Sequence, residues 1–359
     1  MTFERKNIRN MVGYTPGEQP QSAGIVKLNT NENPFAPSPS VQKTLTEITA
    51  DDLRCYPQPT ALELRKTISA HHAIETESII VTNGGDELLR LAISTFVETD
   101  EAVAVAEPTY TLYEVLAQAH GCDYLKFNFN HDWSLPENFA HTLNKTNAKM
   151  CILPNPNAPS GTLLPTNKLA AIAKEFKGIL LIDEAYIDFV DPSLNHDCVK
   201  LINDFDNILI LRTFSKGYSL AGLRIAYGIG PSSIINPMQL KTKDSYNTDF
   251  IAQKLAQAAL KDQAYAEKAW AFVRSQRSLL KNALTELGLT SVDSQSNFLL
   301  ISVPALINGK KLYLSLKQHG ILVRHFDHAG QENYLRVTVG KADENKLFLS
   351  TLKKILADN

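Results

Sequence analysis

Short apolar runs, most of them rich in β-branched residues, recur along the first two thirds of the chain, and each ends in polar residues, glycine or proline. They occupy 78–82 before Asn-Gly-Gly, 102–106 before Glu-Pro, 150–153 before Pro-Asn-Pro-Asn, 179–182 before Asp-Glu, 208–211 before Arg-Thr, and 224–229. A strand that is apolar at every position, not at alternate ones, is expected where helices cover both faces of its sheet. Between the runs, 86–96, 110–119 and 168–176 repeat apolar residues at helical spacing. The pattern predicts a three-layer α/β unit over 41–244, built on a mostly parallel sheet.

Past residue 244 the texture changes. Long helical patterns at 248–261 and 264–287 lead to predicted strands at 296–303, 320–324 and 334–338 and to helices at 309–319 and 344–357, which together predict a smaller α+β domain over 245–359. The first 40 residues are rich in Pro, Asn and Gly and read as an extended arm joining that smaller domain. Two lobes imply a cleft, and clefts between domains are where ligands sit.

Composition narrows the function. In 359 residues, 36 Lys plus Arg face 38 Asp plus Glu, a net charge of 36 − 38 = −2. A phosphate-backbone binder needs clustered positive charge, so a nucleic-acid partner is not expected. The four cysteines, Cys55, Cys122, Cys151 and Cys198, form no CxxC pair and read as reduced thiols. The charged start leads to no apolar signal core, and no apolar run reaches the roughly 18 residues of a membrane span. A cytoplasmic location and no membrane partner are the expectation.

In an open α/β sheet ligands gather at the carboxyl ends of the strands. The run ending at Leu211 leads into Arg212-Thr213-Phe214-Ser215-Lys216, with Arg224 eight positions past the lysine. A lysine held among small hydroxyl residues, with an arginine nearby, suits a Schiff-base amine beside an anion site. Asp183 directly follows a buried strand, where an ionised carboxylate is costly without a cation such as a protonated pyridine nitrogen, and Tyr186 stands three residues on. The loop 154–161 presents the amide of Asn157, and Asn83-Gly84-Gly85-Asp86 joins a strand to a helix whose first N–H groups make an anion site. Tyr110, in Glu-Pro-Thr-Tyr, places an aromatic ring at another strand end.

The motifs NGGDELL, EPTY, PNPNAPSG, IDEAY and SKGYSLAGLR, in this order and spacing, resemble the fold-type-I pyridoxal-phosphate aminotransferases over essentially the whole chain. KLNTNENP (27–34), CYPQPTALELR (55–65) and NYLRVTVG (333–340) resemble the histidinol-phosphate aminotransferases in particular. The resemblance implies pyridoxal 5'-phosphate as cofactor, with Lys216 as the amine that bonds to it, Asp183 on its ring nitrogen, and Tyr186 and Asn157 on its phenolic oxygen. It implies Tyr110 stacked on the ring, and Gly85, Asp86, Thr213, Ser215 and Arg224 around the phosphate. Tyr56 is implied to reach the phosphate of a neighbouring subunit, which makes the working unit a homodimer. Catalysis falls on Lys216, Asp183 and Tyr186, in a ping-pong exchange between L-histidinol phosphate and 2-oxoglutarate.

Substrate anions are expected at Arg324 and Arg336, because planar guanidinium groups match carboxylate and phosphate in pairs of bonds. The resemblance adds Tyr14 and Asn29 to the same region. An aromatic amino acid aminotransferase and a threonine-phosphate decarboxylase-like lyase share nearly all these motifs and are the alternatives. No metal site is expected: His325, Asp327 and His328 read as a solvated turn, and His71 and His72 as exposed helix residues. No Walker loop, GxSxG elbow or HExxH occurs.

Overall fold

The computed structural model describes residues 2–20, 24–304, 307–327 and 331–357. Its strands in chain order are β1 Val26–Lys27, β2 Ile79–Thr82, β3 Ala102–Glu107, β4 Asp123–Asn128, β5 Ala148–Pro154, β6 Ile179–Asp183, β7 Ile208–Thr213, β8 Ala226–Ile229, β9 Thr290–Ser291, β10 Phe298–Ser302, β11 Ile321–Leu322, β12 Arg324–His325 and β13 Tyr334–Thr338. Seven of them form one sheet in the order β2-β8-β7-β6-β5-β3-β4. Only β8 runs against the rest, pairing antiparallel with both β2 and β7.

The apolar runs are explained by what their alternate residues meet. Along β6, Leu180 and Ile182 enter one core while Ile179 and Leu181 enter the other, and Ile208 and Ile210 of β7 separate from Leu209 and Leu211 in the same way. One core is closed by helices Leu62–His72, Thr166–Glu175 and Phe250–Lys261, the second by Gly84–Phe96 and Leu112–His120. In Gly84–Phe96 the inward stripe is Leu88, Leu89, Ala92 and Ile93, all buried, each large one stabilising by about 1.5–3 kcal/mol. The three-layer, mostly parallel α/β architecture follows.

A four-stranded sheet, β12-β13-β10-β9, and the parallel pair β1-β11 share a third core with helices Gly309–Gln318 and Ala342–Ala357. The predicted strand 320–324 is in fact two short ones: β11 pairs with β1, and after the buried Val323 the chain turns to pair β12 with β13. Strand β4 has no continuous apolar run, because at the sheet edge Asp123, Lys126 and Asn128 face solvent.

Two histidine readings change. His71 is exposed, but His72 is half-buried with Nε2 3.0 Å from the Tyr227 hydroxyl, and burial pushes its pKa down to about 2. His325 does not lie in a solvated turn: its ring stacks on Tyr313 at 5.8 Å and faces the Glu332 carbonyl at 2.9 Å. His328 falls outside the described residues.

Candidate active site

The carboxyl ends of β3, β5, β6 and β7, together with β12, β13 and the arm, surround a cavity of about 530 Å³. Thirteen of the fifteen residues picked from sequence line it: Tyr14, Asn29, Gly85, Asp86, Tyr110, Asp183, Tyr186, Thr213, Ser215, Lys216, Arg224, Arg324 and Arg336. Asn157 lies just behind the wall, with Oδ1 accepting from Ser160 Oγ at 2.7 Å and Nδ2 donating to the Pro108 carbonyl at 3.4 Å. Tyr56 lies elsewhere, 81% exposed and stacked on Tyr246 at 4.5 Å.

Asp183 ends β6, buried to 7% exposure. Its Oδ2 accepts a hydrogen bond from the Tyr113 hydroxyl at 2.7 Å and its Oδ1 one from the Ala185 N–H at 3.0 Å. Burial raises its pKa to about 6; the two donors pull it down, whereas the carboxylates of Asp86 and Glu184 push it further up. On the loop after β7, the buried Lys216 donates from Nζ to the Thr30 carbonyl at 2.9 Å. Burial, then the charges of Arg336, Arg224 and Lys27 outweighing Glu32, lower its pKa to about 8, so a usable share of the free amine exists near neutral pH.

The anion side is built by the backbone. Gly84, at φ +77°, opens helix Gly84–Phe96, and a Cβ there would sit 2.8 Å from the Arg224 guanidinium, which lies across the helix start and reaches Asp86 at 3.4 Å. Thr213 Oγ1 donates to Ser215 Oγ at 2.9 Å beside it. Tyr110 closes another wall, edge-on to Tyr14 and to Tyr113 at 5.5 Å each.

Across the cavity, Arg324 and Arg336 are direct partners in the antiparallel β12-β13 pair. Like charges opposite one another destabilise a sheet unless an anion lies between them. Among the described residues, Arg324 hydrogen-bonds the Thr15 and Pro16 carbonyls at 3.4 Å, and the Arg336 guanidinium lies over the rings of Phe298 and Phe326, its Nη2 donating to the Asn29 carbonyl at 3.3 Å and its buried Nε having no hydrogen-bond partner. Asn29 donates through Nδ2 to the Glu18 carbonyl at 2.8 Å.

Three contacts were not picked out from sequence. Tyr113 holds Asp183, Asn31 donates through Nδ2 to the Tyr186 hydroxyl at 2.9 Å, and Asn33 donates to the Lys216 and Gly217 carbonyls at 3.1 Å each. The signal for the asparagines was present in KLNTNENP, and Tyr113 follows Tyr110 by three positions at the start of its helix; neither spacing says which groups they meet. Elsewhere, Glu184, His196 and Cys198 bring three ligand-type atoms within 4.8 Å. Glu184 is bonded to Arg212 at 2.8 Å, and His196 faces Thr166 through Nδ1 and Asn155 and Cys198 through Nε2, all within 3.3 Å.

A planar cofactor with a protonatable ring nitrogen, a carbonyl carbon and a phosphate fits these residues: a buried carboxylate held by two hydrogen-bond donors with no cation bonded to it among the described residues, a buried amine of lowered pKa, and a glycine-opened helix start under Arg224. The family model for aminotransferase class I and II matches residues 23–352. A histidinol-phosphate aminotransferase of Microcystis aeruginosa is 42% identical over 361 residues, covering 99% of each chain. Among solved structures, the histidinol-phosphate aminotransferase of Clostridium acetobutylicum superposes with a TM-score of 0.85 at 26% identity, over 93% of this chain and all of that one. That of Sinorhizobium meliloti, in complex with pyridoxal-5'-phosphate, gives 0.90 at 22% identity over 100% and 98% of the two chains. The chain thus belongs to the class I and II aminotransferases, in the histidinol-phosphate aminotransferase family.

Proposed function

We propose that the protein is a pyridoxal-phosphate-dependent aminotransferase that converts L-histidinol phosphate and 2-oxoglutarate to imidazole acetol phosphate and L-glutamate in histidine biosynthesis. The observation that carries this reading is the facing of two halves across one cavity, Asp183 and Lys216 at neighbouring strand ends against Arg324 and Arg336 on the opposite sheet. Full-length relatives of the same name support the substrate.

When bound, the cofactor supplies an electron sink that makes the substrate Cα–H acidic. Asp183 would hold negative charge against the ring nitrogen, and Tyr186, oriented by Asn31, would bond the phenolic oxygen, joined by Asn157 once its amide leaves the 3.4 Å contact to the Pro108 carbonyl. Gly85 and Asp86 at the helix start, with Thr213, Ser215 and Arg224, hold the phosphate, and Tyr110 covers the ring face. The Lys216 Nζ would take the substrate Cα proton and return it. Arg324 and Arg336 take the substrate's anionic groups, with Tyr14 and Asn29 beside them. The two arginines serve a phosphate in one half-reaction and a carboxylate in the other.

The division into an arm (1–40), a cofactor-binding domain (41–244) and a smaller domain (245–359) belongs to the same reading. So does a homodimer in which Tyr56 serves the partner's phosphate site: its exposed ring, with Tyr246 and Leu53, leaves apolar surface that a second copy would cover. A cytoplasmic location is in keeping with the absence, among the described residues, of any helix long and apolar enough to cross a membrane.

Single-turnover mixing of the cofactor-loaded protein with histidinol phosphate, phenylalanine and phosphothreonine tests the function. Histidinol phosphate is expected to convert the cofactor to its amino form without releasing carbon dioxide. Conversion by phenylalanine alone, or carbon dioxide release from phosphothreonine, overturns the assignment. For the dimer, mixing Lys216→Ala with Tyr56→Phe chains is expected to restore one intact site per mixed dimer; no recovery of activity refutes the role of Tyr56 across the interface.

A further inference from the structure

Asp183 is a buried carboxylate that must remain ionised to hold a proton on a ring nitrogen, yet its surroundings favour its protonated form. Burial and the nearby Asp86 and Glu184 all push its proton affinity up. Two groups oppose them: the Ala185 N–H on Oδ1, and the Tyr113 hydroxyl on Oδ2, 2.7 Å away. We propose that Tyr113 is a positioning residue of the transamination reaction, whose hydroxyl keeps Asp183 an ionised, fixed carboxylate so that the shared proton rests on the cofactor's ring nitrogen. The inference rests on the cofactor reading above and extends it to Tyr113, a residue of the same cavity wall whose hydroxyl is bonded to the carboxylate.

The placement is specific. Tyr113 sits in the first turn of helix Leu112–His120, with its ring fully buried and edge-on to Tyr110. The same short segment therefore carries the ring proposed to cover the cofactor and the hydroxyl that fixes its nitrogen partner. Burial first, and then the charge of Asp183, hold the Tyr113 phenol far above its ordinary pKa, with Tyr110 and Tyr124 acting in the same direction; the group stays a donor at every working pH. A carboxylate has about four lone-pair sites, so one donor on each oxygen leaves room for a ring N–H. The two donors come from different elements, the helix and the turn after β6, and so fix the carboxylate in place.

Without the hydroxyl, Asp183 becomes the stronger base and the proton of the pair moves from ring nitrogen to carboxyl. No net proton is gained or lost. The change has a signature that packing alone does not produce. A charged ring nitrogen repels a second proton at the Lys216 linkage and holds down the pH midpoint of the bound cofactor's visible absorbance. Loss of that charge raises the midpoint.

The test is a pH titration of that absorbance in cofactor-loaded wild type, Tyr113→Phe, Asp183→Asn and the double variant. Tyr113→Phe is expected to raise the midpoint by about one unit, to lower kcat about tenfold and to leave KM for the amino donor nearly unchanged. Added to Asp183→Asn it is expected to shift nothing further, since the hydroxyl acts through that carboxylate. A Tyr113→Phe protein with the wild-type midpoint overturns the proposal, even if its activity falls. If that variant does not fold, the nitrogen-15 shift of the ring nitrogen in wild type loaded with labelled cofactor is expected to be that of a protonated pyridine; an unprotonated nitrogen overturns the proposal. A wild-type protein that takes up no cofactor shows no band at all, and that result removes the cofactor reading and this inference with it.

Discussion

The two walls of the cavity hold their charges differently. On the wall made by the ends of β5, β6 and β7, Asp183, Lys216, Thr213 and Ser215 already have protein partners, and most of those bonds lie between 2.7 and 3.1 Å. On the wall made by β12, β13 and the arm, two guanidinium groups stand opposite one another with contacts of 3.3–3.4 Å to backbone carbonyls, and one buried Nε has no hydrogen-bond partner among the described residues. The first wall is organised in advance for one resident group. The second is less fully bonded, which suits the proposed exchange, in which two different anions are to be accepted in turn and released.

The largest effect expected on this contrast is on the prepared wall. Lys216→Ala is expected to lower turnover by roughly 10⁴-fold and to remove the visible absorbance of the loaded protein, measured by single-turnover kinetics and spectrophotometry. An unchanged reducible adduct in that variant breaks the assignment of the amine. On the open wall, Arg336→Ala is expected to cost about 10²-fold in kcat/KM, the loss of one or two charge-assisted hydrogen bonds, mostly as a raised KM. A kcat loss without a KM change would erase the distinction between the walls.

Stability offers a sharper comparison. Asp183 has its pKa raised from an ordinary 3.8 to about 6, so its contribution to stability is fully present below the unfolded value and is lost as pH rises through about 6. Asp183→Asn is therefore expected to stabilise the cofactor-free protein at pH 7.5 by up to about 3 kcal/mol, and to leave it unchanged near pH 3, as measured by denaturant unfolding. The smallest effect on turnover is expected at Asn31→Ala, a few-fold loss in kcat corresponding to about 1 kcal/mol, because the Tyr186 hydroxyl loses one donor and the Thr338 hydroxyl loses its acceptor Oδ1.

The strand ends of the large sheet are legible because most of its core strands carry a continuous apolar run that stops at polar residues, glycine or proline. That change of texture singles out the segments that hold Asp183, Lys216 and Gly85, and the family resemblance supplies the roles expected of them. Strand β4 and the division of 320–324 into two strands were not legible, since an exposed edge and a sheet switch leave no hydrophobic signature. His72 and His325 were misread for a related reason: a histidine's exposure depends on Tyr227 and Tyr313, which lie 155 and 12 residues away in sequence.

What the sequence determined by itself is the alternation of buried strands with amphipathic helices, and the kind of chemistry, because hydrophobic periodicity and the residue types at strand ends are local properties. What only the tertiary structure decided is which groups act on one another. Tyr113 meets Asp183 across 70 residues, Thr30 meets Lys216 across 186, and Asn31 meets Tyr186 across 155. Hydrogen bonds reach about 3 Å, and proton affinities in a buried site depend on such contacts and on the exclusion of water, so none of them is written in the spacing of residues along the chain.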